Sequence, residues 1–411
     1  MKEEKLYRKI TVRLFPTPEQ EINMKRHAGA RRFMWNYMIS LQEKNYQDNN
    51  GYLNKYDMCR HITQMKKTKE LSWLNEISNA TLQNTCRDLD RAYVSFFNKI
   101  ANYPKYKSKK KSAIAFPISS DSKATYFKSK SILRIPKIGD VKYKSSIQMS
   151  GNVKIYSPTI TMKNKKWLLV FSVECETQAL NVTENLMGID LGIKELAVVA
   201  VGGKKLVFHN INKSKRMRSL KKKEKYIQRT ISRKRRISNG FATPQKGQIW
   251  KKSENIKKYE QILREIYTKQ SNIRHDYIHK ITRELVNMLP KRVVMEDLNI
   301  TSMLKNKHLA SLISEQNFYF FIKTMKYKCE EYGIEFIQAD RYYPSSKLCS
   351  CCGYKNKSLK LKDRGWMCPN CGTHHDRDYN AAINLMNYTE NTTDKLVTKV
   401  ERKPRIKRLC K

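Results

Sequence analysis

The thirty residues from Cys349 to Asp378 constrain this chain more than any others. Two Cys-x-x-Cys pairs, Cys349/Cys352 and Cys368/Cys371, are separated by fifteen residues. At that spacing two hairpins bring four thiolates to the corners of a tetrahedron, so the quartet predicts a zinc ribbon. Each pair is followed by a glycine, Gly353 or Gly372, which lets the backbone turn its N–H groups toward metal-bound sulfurs. Cys351 occupies the place that Asn370 takes in the second pair and reads as a spare thiol, with His374 or His375 as substitute ligands. The remaining cysteines, Cys59, Cys86, Cys175, Cys329 and Cys410, are scattered and read as reduced thiols rather than a disulfide framework.

The partner is suggested by charge. Lys and Arg outnumber Asp and Glu by 83 to 37 in 411 residues, a net charge of +46, and such self-repulsion is tolerated best when a polyanion neutralises it. Nucleic acid is the expected polyanion. No apolar run approaches the roughly eighteen residues of a spanning helix, and Met1-Lys-Glu-Glu-Lys5 opens no signal-peptide core, so no membrane partner and a cytoplasmic protein are expected. With 40% hydrophobic residues the chain can bury two to four cores.

Leu6, Ile10, Val12 and Leu14 alternate with Lys9, Thr11 and Arg13, which predicts a strand ending at Pro16. Thr17-Pro-Glu-Gln20 then supplies a capping box with proline at the first helical position. A later helix sets Leu82, Cys86, Leu89, Tyr93 and Phe96 on one stripe and Gln83, Asn84, Arg87 and Arg91 on the other, a face that could meet DNA or RNA. Beyond Pro104 and the basic run Lys105–Lys111, short β-rich segments around 132–136, 159–162 and 167–173 predict a small β-barrel.

Two apolar strands are each interrupted by acid. Asp190 breaks Met187-Gly-Ile-Asp-Leu-Gly192, and Glu296 and Asp297 follow Val293-Val-Met295. A carboxylate in a buried run needs a reason, either a local cap or ion pair or a functional one. Because strand side chains alternate, only one of Glu296 and Asp297 can share a face with Asp190. A third acid lies in Asp376-Arg-Asp378 at a helix start, where Ala381, Ala382 and Leu385 continue with helical spacing. Such a trio suits a two-metal phosphodiester hydrolase, and the order of elements, with Ile334–Ile337 as a further strand, suggests an RNase H-like fold interrupted by the ribbon.

Thirteen of the twenty-four residues from Lys213 to Arg236 are Lys or Arg, with Leu220, Ile227 and Ile231 as an apolar stripe. After turn residues at 238–240 and 243–244, a second helix carries Ile256, Tyr259, Leu263, Ile266, Ile273, Tyr277, Ile281 and Leu285. This predicts a helical hairpin whose cationic face tracks a nucleic-acid backbone. His275 and His279 lie four apart on it but have no evident carboxylate partner, so structural histidines are expected.

Taken together, the motifs resemble TnpB, a transposon-encoded RNA-guided DNA endonuclease related to type V CRISPR effectors. The matching residues run nearly end to end: Arg13–Pro16 with Gln20, Gly29-Ala-Arg-Arg-Phe33 with Asn36, Leu82-Gln-Asn84, Gly188-Ile-Asp190 to Lys194, and Glu296-Asp-Leu298. The tail matches through Pro344-Ser-Ser346, Arg364-Gly-Trp366, the cysteine quartet and His375-Asp-Arg-Asp378-x-Asn-Ala-Ala382.

The resemblance implies a multidomain α/β protein. A wedge β-barrel (1–16 and 104–183) would carry a helical recognition domain (17–103), and a RuvC-type RNase H-like nuclease domain (184–343 and 377–390) would carry the hairpin (212–290). A zinc-ribbon target-nucleic-acid-binding domain (344–376) and a flexible basic tail (391–411) complete it. The resemblance also selects Asp190, Glu296 and Asp378 as the catalytic triad, holding two Mg²⁺, with one structural zinc on Cys349, Cys352, Cys368 and Cys371; Asp376 is the fallback within Asp-Arg-Asp. Expected partners are a guide RNA derived from the transposon end, one protein per guide, and target double-stranded DNA beside a short transposon-adjacent motif. That division suits the charge, since guide pairing reads sequence while the protein holds backbone. Gln83, Asn84, Arg87 and Arg364 are the candidate nucleic-acid contacts. The alternatives are a nuclease-inactive RNA-guided repressor, for which a triad acid should be missing, and a strand-transfer transposase. The protein is expected in the prokaryotic cytoplasm, with the nucleoid when bound to DNA.

Overall fold

The computed structural model describes residues 6–48, 51–110, 112–145, 153–175, 180–238, 240, 252–360 and 362–389. The basic tail, Cys410 and the expected turn at 243–244 lie outside them. The chain divides into two compact units, Met1–Glu176 and Thr177–Lys411.

In the first unit, β1 (Leu6–Phe15) buries Ile10, Val12 and Leu14 on alternate positions and leads into α1 (Pro18–Gln47). The capping box forms: Gln20 N–H donates to Thr17 Oγ1 at 3.3 Å and Thr17 N–H to Gln20 Oε1 at 3.0 Å. Helices α2 (Lys55–Met65) and α3 (Asn79–Phe97) pack on α1 around Met34, Met38, Met58, Ile62, Leu82 and Leu89. Six more strands follow: β2 (Ala115–Pro117), β3 (Tyr126–Phe127), β4 (Ile132–Ile135), β5 (Gly139–Lys144), β6 (Ile155–Lys163) and β7 (Lys166–Cys175).

These strands pair in the order β2-β6-β7-β1-β5-β4-β3, antiparallel throughout. Phe116 of one edge strand and Phe127 of the other lie in the same core, so the sheet is rolled. Among the described residues β2 and β3 do not pair, so the rolled sheet is open along that seam. The edge strands are short, three and two residues long.

The second unit opens with the meander β8 (Leu186–Leu191), β9 (Glu195–Val201) and β10 (Lys204–His209), then the hairpin α4 (Lys215–Ser238) and α5 (Glu254–Asn287). Strand β11 (Arg292–Glu296), helices α6 (Ile300–Met303), α7 (Ala310–Gln316) and α8 (Phe318–Tyr332), and β12 (Glu335–Ala339) follow. The sheet order is β10-β9-β8-β11-β12, antiparallel through the meander and parallel from β8 to β12. A small hairpin, β13 (Gly365–Met367) and β14 (His374–Asp376), precedes the final helix α9 (Arg377–Met386).

Both faces of the five-stranded sheet are covered. Met187, Ile189, Val293 and Met295 point into a core closed by Ile278, Ile281 and Leu285 of α5 and Phe321 and Met325 of α8. On the opposite face Val198, Ala200 and Val294 meet Ala382 and Leu385 of α9. The close approach of α9 requires Gly188. A Cβ there would lie 2.0 Å from Ala382 O and 2.3 Å from Met386 N, so any side chain would force the helix off the strand.

The α4/α5 hairpin closes over Ile227, Ile231, Ile256 and Ile266. Ile278 is buried on α5, whereas Ile273 of the expected stripe is only half-buried. The first half of that long helix packs on α4 and the second half on the sheet, so its buried face shifts along its length.

Candidate active site and metal centres

Strand register brings the first two acids together. Ile189 and Met295 are partners on parallel β8 and β11, and both face the α5/α8 core. The next residue of each strand, Asp190 and Glu296, therefore turns to the opposite face at the carboxyl ends of neighbouring strands. Crevices at the carboxyl ends of parallel strands are where open α/β sheets present functional groups. Asp297 turns the other way and is engaged by Arg341 at 2.6 Å.

Asp378 arrives from α9. Asp376 is the N-cap of that helix, its carboxylate accepting from Tyr379 N–H at 3.0 Å and from Lys205 Nζ at 3.1 Å. Burial pushes the Asp376 carboxyl up, but these donors hold it below its ordinary value. Asp376 thus has a structural task, and Asp378, two residues on, lines the cleft with Asp190 and Glu296. The cleft has a volume of about 650 Å³ and is also lined by Lys194, Lys213, Arg364 and Arg377.

The electrostatics of this cleft are those of crowded carboxylates. Burial, then the Glu296 and Asp378 carboxylates, push Asp190 well above the usual range, with Arg377 and Arg364 offsetting only part. Burial likewise raises Glu296, against a hydrogen bond from Ser345 Oγ and the charge of Arg377. A divalent cation would relieve this repulsion, and three carboxylates are the hard oxygen donors that such a cation takes. The trio lines an open cleft, with Arg364 Nη1 3.6 Å from Asp378.

The cysteine quartet closes on a single centre. The four Sγ atoms of Cys349, Cys352, Cys368 and Cys371 lie within 4.8 Å of one another, and the pairs Cys349/Cys371 and Cys352/Cys368 stand at 3.6 Å. Thiolates bound tetrahedrally to zinc should be about 3.8 Å apart, so the residues present fit that ion. The two knuckles repeat one another: Gly353 N–H donates to Cys349 O and Gly372 N–H to Cys368 O, both at 2.9 Å. The two glycines have φ of +74° and +70°, the left-handed turn expected of them. Asn370 Nδ2 lies 3.4 Å from Cys352 Sγ, while Cys351, its counterpart, is exposed. His375 is buried with Nε2 3.0 Å from Cys349 Sγ. It supports a sulfur rather than replacing one, while His374 is exposed.

Buried amides tie the ribbon to the acidic cleft. Asn380 Nδ2 donates to Leu348 O at 2.6 Å and its Oδ1 accepts from Ser350 N–H at 2.9 Å. Asn384 Nδ2 donates to Ser345 O at 2.7 Å and Leu348 O at 2.8 Å. Helix α9 thus carries Asp378, grips the first cysteine knuckle and fixes the segment whose Ser345 holds Glu296.

The other expected residues fall elsewhere. Gln83 and Arg87 are exposed on α3 and Asn84 is half-buried, accepting from Arg87 Nη1 at 3.3 Å. Arg364, named as a nucleic-acid contact, stands in the acidic cleft itself. His275 and His279 pack on Phe320 at centroid distances of 4.1 and 5.4 Å, as structural histidines do. Ser345 and Arg377 were not singled out from sequence for a role at the acids. Ser345 stood only as part of a motif, and Arg377 was visible as the cation between two aspartates.

Comparisons with known proteins agree in kind. Residues 170–307 match the IS605 OrfB family described as "Probable transposase", and residues 318–385 match the Cas12f1-like TNB domain. Residues 1–51 match a family described as a helix-turn-helix domain, although the described residues among them form one strand, Leu6–Phe15, and one long helix, Pro18–Gln47. A protein of Streptomyces pristinaespiralis is 29% identical, over 92% of this chain and 88% of its own length. Another, InsQ of Escherichia coli (strain K12), is 28% identical over 91% and 90%. Both are named "Putative RNA-guided DNA endonuclease". The Cas12f1 chain of a Cas12f1–sgRNA–target DNA complex superposes with a TM-score of 0.61 at 14% identity, covering 94% of this chain and 99% of that one, which shows a shared fold.

Proposed function

We propose that the chain is a TnpB-type protein of IS605-type transposons and, like the relatives it matches along most of its length, an RNA-guided DNA endonuclease. It binds a guide RNA derived from its transposon end and hydrolyses target double-stranded DNA beside a short transposon-adjacent motif. The observation that carries this reading is the acidic cleft, with Asp190 and Glu296 in adjacent register and Asp378 presented by α9. Support for a RuvC-type, RNase H-like nuclease comes from the mixed sheet, with the acids at strand ends and α9 across one face.

In this account Asp190, Glu296 and Asp378 hold two Mg²⁺ ions. When bound, the ions supply Lewis acidity toward the attacking water and the leaving 3′ oxygen and neutralise charge at the scissile phosphate. Ser345 fixes the rotamer of Glu296. Arg364, Arg377, Lys194 and Lys213 meet the DNA backbone as it enters the cleft, because a phosphodiester brings the negative charge that these side chains match. The cysteine quartet holds one structural zinc, and the ribbon serves as the target-nucleic-acid-binding domain with the boundaries 344–376. The exposed face of α3, with Gln83, Asn84 and Arg87, reads the duplex motif, since side-chain amides can bond bidentately to adenine. One protein serves one guide in the cytoplasm. No described helix is long and apolar enough to cross a membrane.

The family description "Probable transposase" favours a second reading, strand transfer by a DNA 3′-OH. End analysis of products from guided target DNA separates the two. Hydrolysis is expected to leave 5′-phosphate and 3′-hydroxyl ends with no joined strands, whereas covalently joined products would establish transfer. No triad acid is missing, which counts against the nuclease-inactive repressor.

A further inference from the structure

A second charged cleft lies in the first unit, where α1 meets the extended segment after α3. It has a volume of about 460 Å³ and is lined by Arg31, Arg32, Lys105, Lys107, Ser108 and Ser112 among others, with no carboxylate among the described residues of its wall. The segment is pinned to the helix. Asn36 clamps Lys107 through both backbone groups, at 2.7 and 2.9 Å, and Trp35 Nε1 donates to Lys105 O at 3.0 Å. Lys107 Nζ sits over the Trp35 ring, 3.1 Å from its centroid. Arg31 is held by Asp88 at 2.9 Å and by Ala115 O at 3.2 Å, yet its Nε is sealed from solvent with no hydrogen-bond partner among the described residues.

We propose that this cleft is a phosphodiester-binding site that grips one phosphate of a bound nucleic-acid strand, with Arg32 and Lys107 as donors and Arg31 as a fixed positive wall. The proposal rests on the chain's being a nucleic-acid-binding protein, as inferred above. Its volume falls in the range of about 300–1,000 Å³ typical of sites for small organic ligands, enough for a phosphate with part of its sugar. Burial, then the charge of Arg31, push the Lys107 ammonium down to about 8. The Asp88 carboxylate offsets only part of this, and an arriving anion would stabilise the ammonium further. The arrangement also gives a task to two motifs that the acidic cleft does not use, Gly29–Phe33 with Asn36 and the basic run from Lys105.

The test is salt-dependent binding of an oligouridylate, an oligothymidylate and a duplex DNA to the full chain, its Arg32→Ala/Lys107→Gln variant and its Arg32→Lys variant. The double variant should bind about tenfold more weakly. Its slope of log affinity against log salt should also fall, by about 0.7 per lost contact on a single strand or about 0.9 on duplex. Arg32→Lys should retain most of the slope. A fall confined to the oligouridylate identifies the strand as RNA, and one confined to the duplex identifies it as DNA. A merely structural role would lower the fraction of competent protein and leave the slope intact. Unchanged slopes on all three probes, with the parent binding normally, would overturn the site and leave the endonuclease standing. A parent that binds none of the probes would overturn both.

Discussion

Asp190→Ala should abolish DNA cleavage while leaving RNA affinity within a fewfold of the parent. Asp190 stands at the centre of the acidic cleft, one residue past the Ile189/Met295 pair and therefore beside Glu296. Removing it takes away the carboxylate that neighbours both other acids and whose protonation responds to them. A divalent ion contributes several kcal/mol of transition-state stabilisation, so losing a ligand should cost about 10³-fold in rate or more. RNA affinity should instead come from cationic surface spread over the chain.

Stability should move the other way. Asp190 has a folded pKa raised above its unfolded value, so its ionised form costs stability at neutral pH, a cost that disappears as pH falls below the unfolded value. In chelator the Ala variant should therefore melt no lower than the parent, and higher if the repulsion is as large as the burial suggests. Calorimetry and a cleavage assay on the same preparations check both halves. Cleavage surviving in Asp190→Ala would remove the acid from its role.

Cys368→Ser should strip zinc from the ribbon and lower cleavage by a path through two of the acids. Structural zinc sites contribute on the order of 10 kcal/mol to folding of small domains, and Ser is a far poorer ligand than thiolate. Cys368 follows β13 directly, and β14 ends at Asp376, the N-cap of the helix that carries Asp378. On the other side, the knuckle at Cys349 is gripped by Asn380 and Asn384, and Asn384 also fixes the Ser345 backbone. Loosening the ribbon thus loosens Asp378 and the Ser345 clamp on Glu296 together, and displacements near 1 Å in a catalytic constellation cost about 10²-fold. Zinc content measured by elemental analysis should fall with activity. A variant that keeps its zinc would contradict the assignment of the quartet.

Legibility in the sequence followed locality. The Thr17/Gln20 box and the glycines of both knuckles depend on residues a few positions apart, and their geometry matches what local chemistry dictates. Period-two alternation limited the choice at Glu296-Asp297 to one residue, and strand register explains why Glu296 faces the cleft while Asp297 meets Arg341. Between Asp376 and Asp378 the periodicity was silent. The capping hydrogen bond from Tyr379 decides that Asp376 has a structural task, and a cap competes with other roles only once the exact helix start is known.

What depended on distant partners was not visible. Ser345 meets Glu296 across 49 residues, and Arg364 meets Asp378 only because the ribbon folds back. The open seam of the first sheet lies between Ala115–Pro117 and Tyr126–Phe127, each paired only on its other edge among the described residues. On α5 a single apolar stripe was extended over a helix whose two halves serve different cores.

The most direct test of the central claim is to co-express the chain with the DNA flanking its gene, purify it, and sequence the RNA it carries. The complex is then given Mg²⁺ and a plasmid library with a randomised flank beside the guide-matched target. The account predicts a bound RNA from the transposon end and cleavage beside one enriched motif, lost in Asp190→Ala. Absence of a specific bound RNA, or cutting with no dependence on guide or flank, would contradict it.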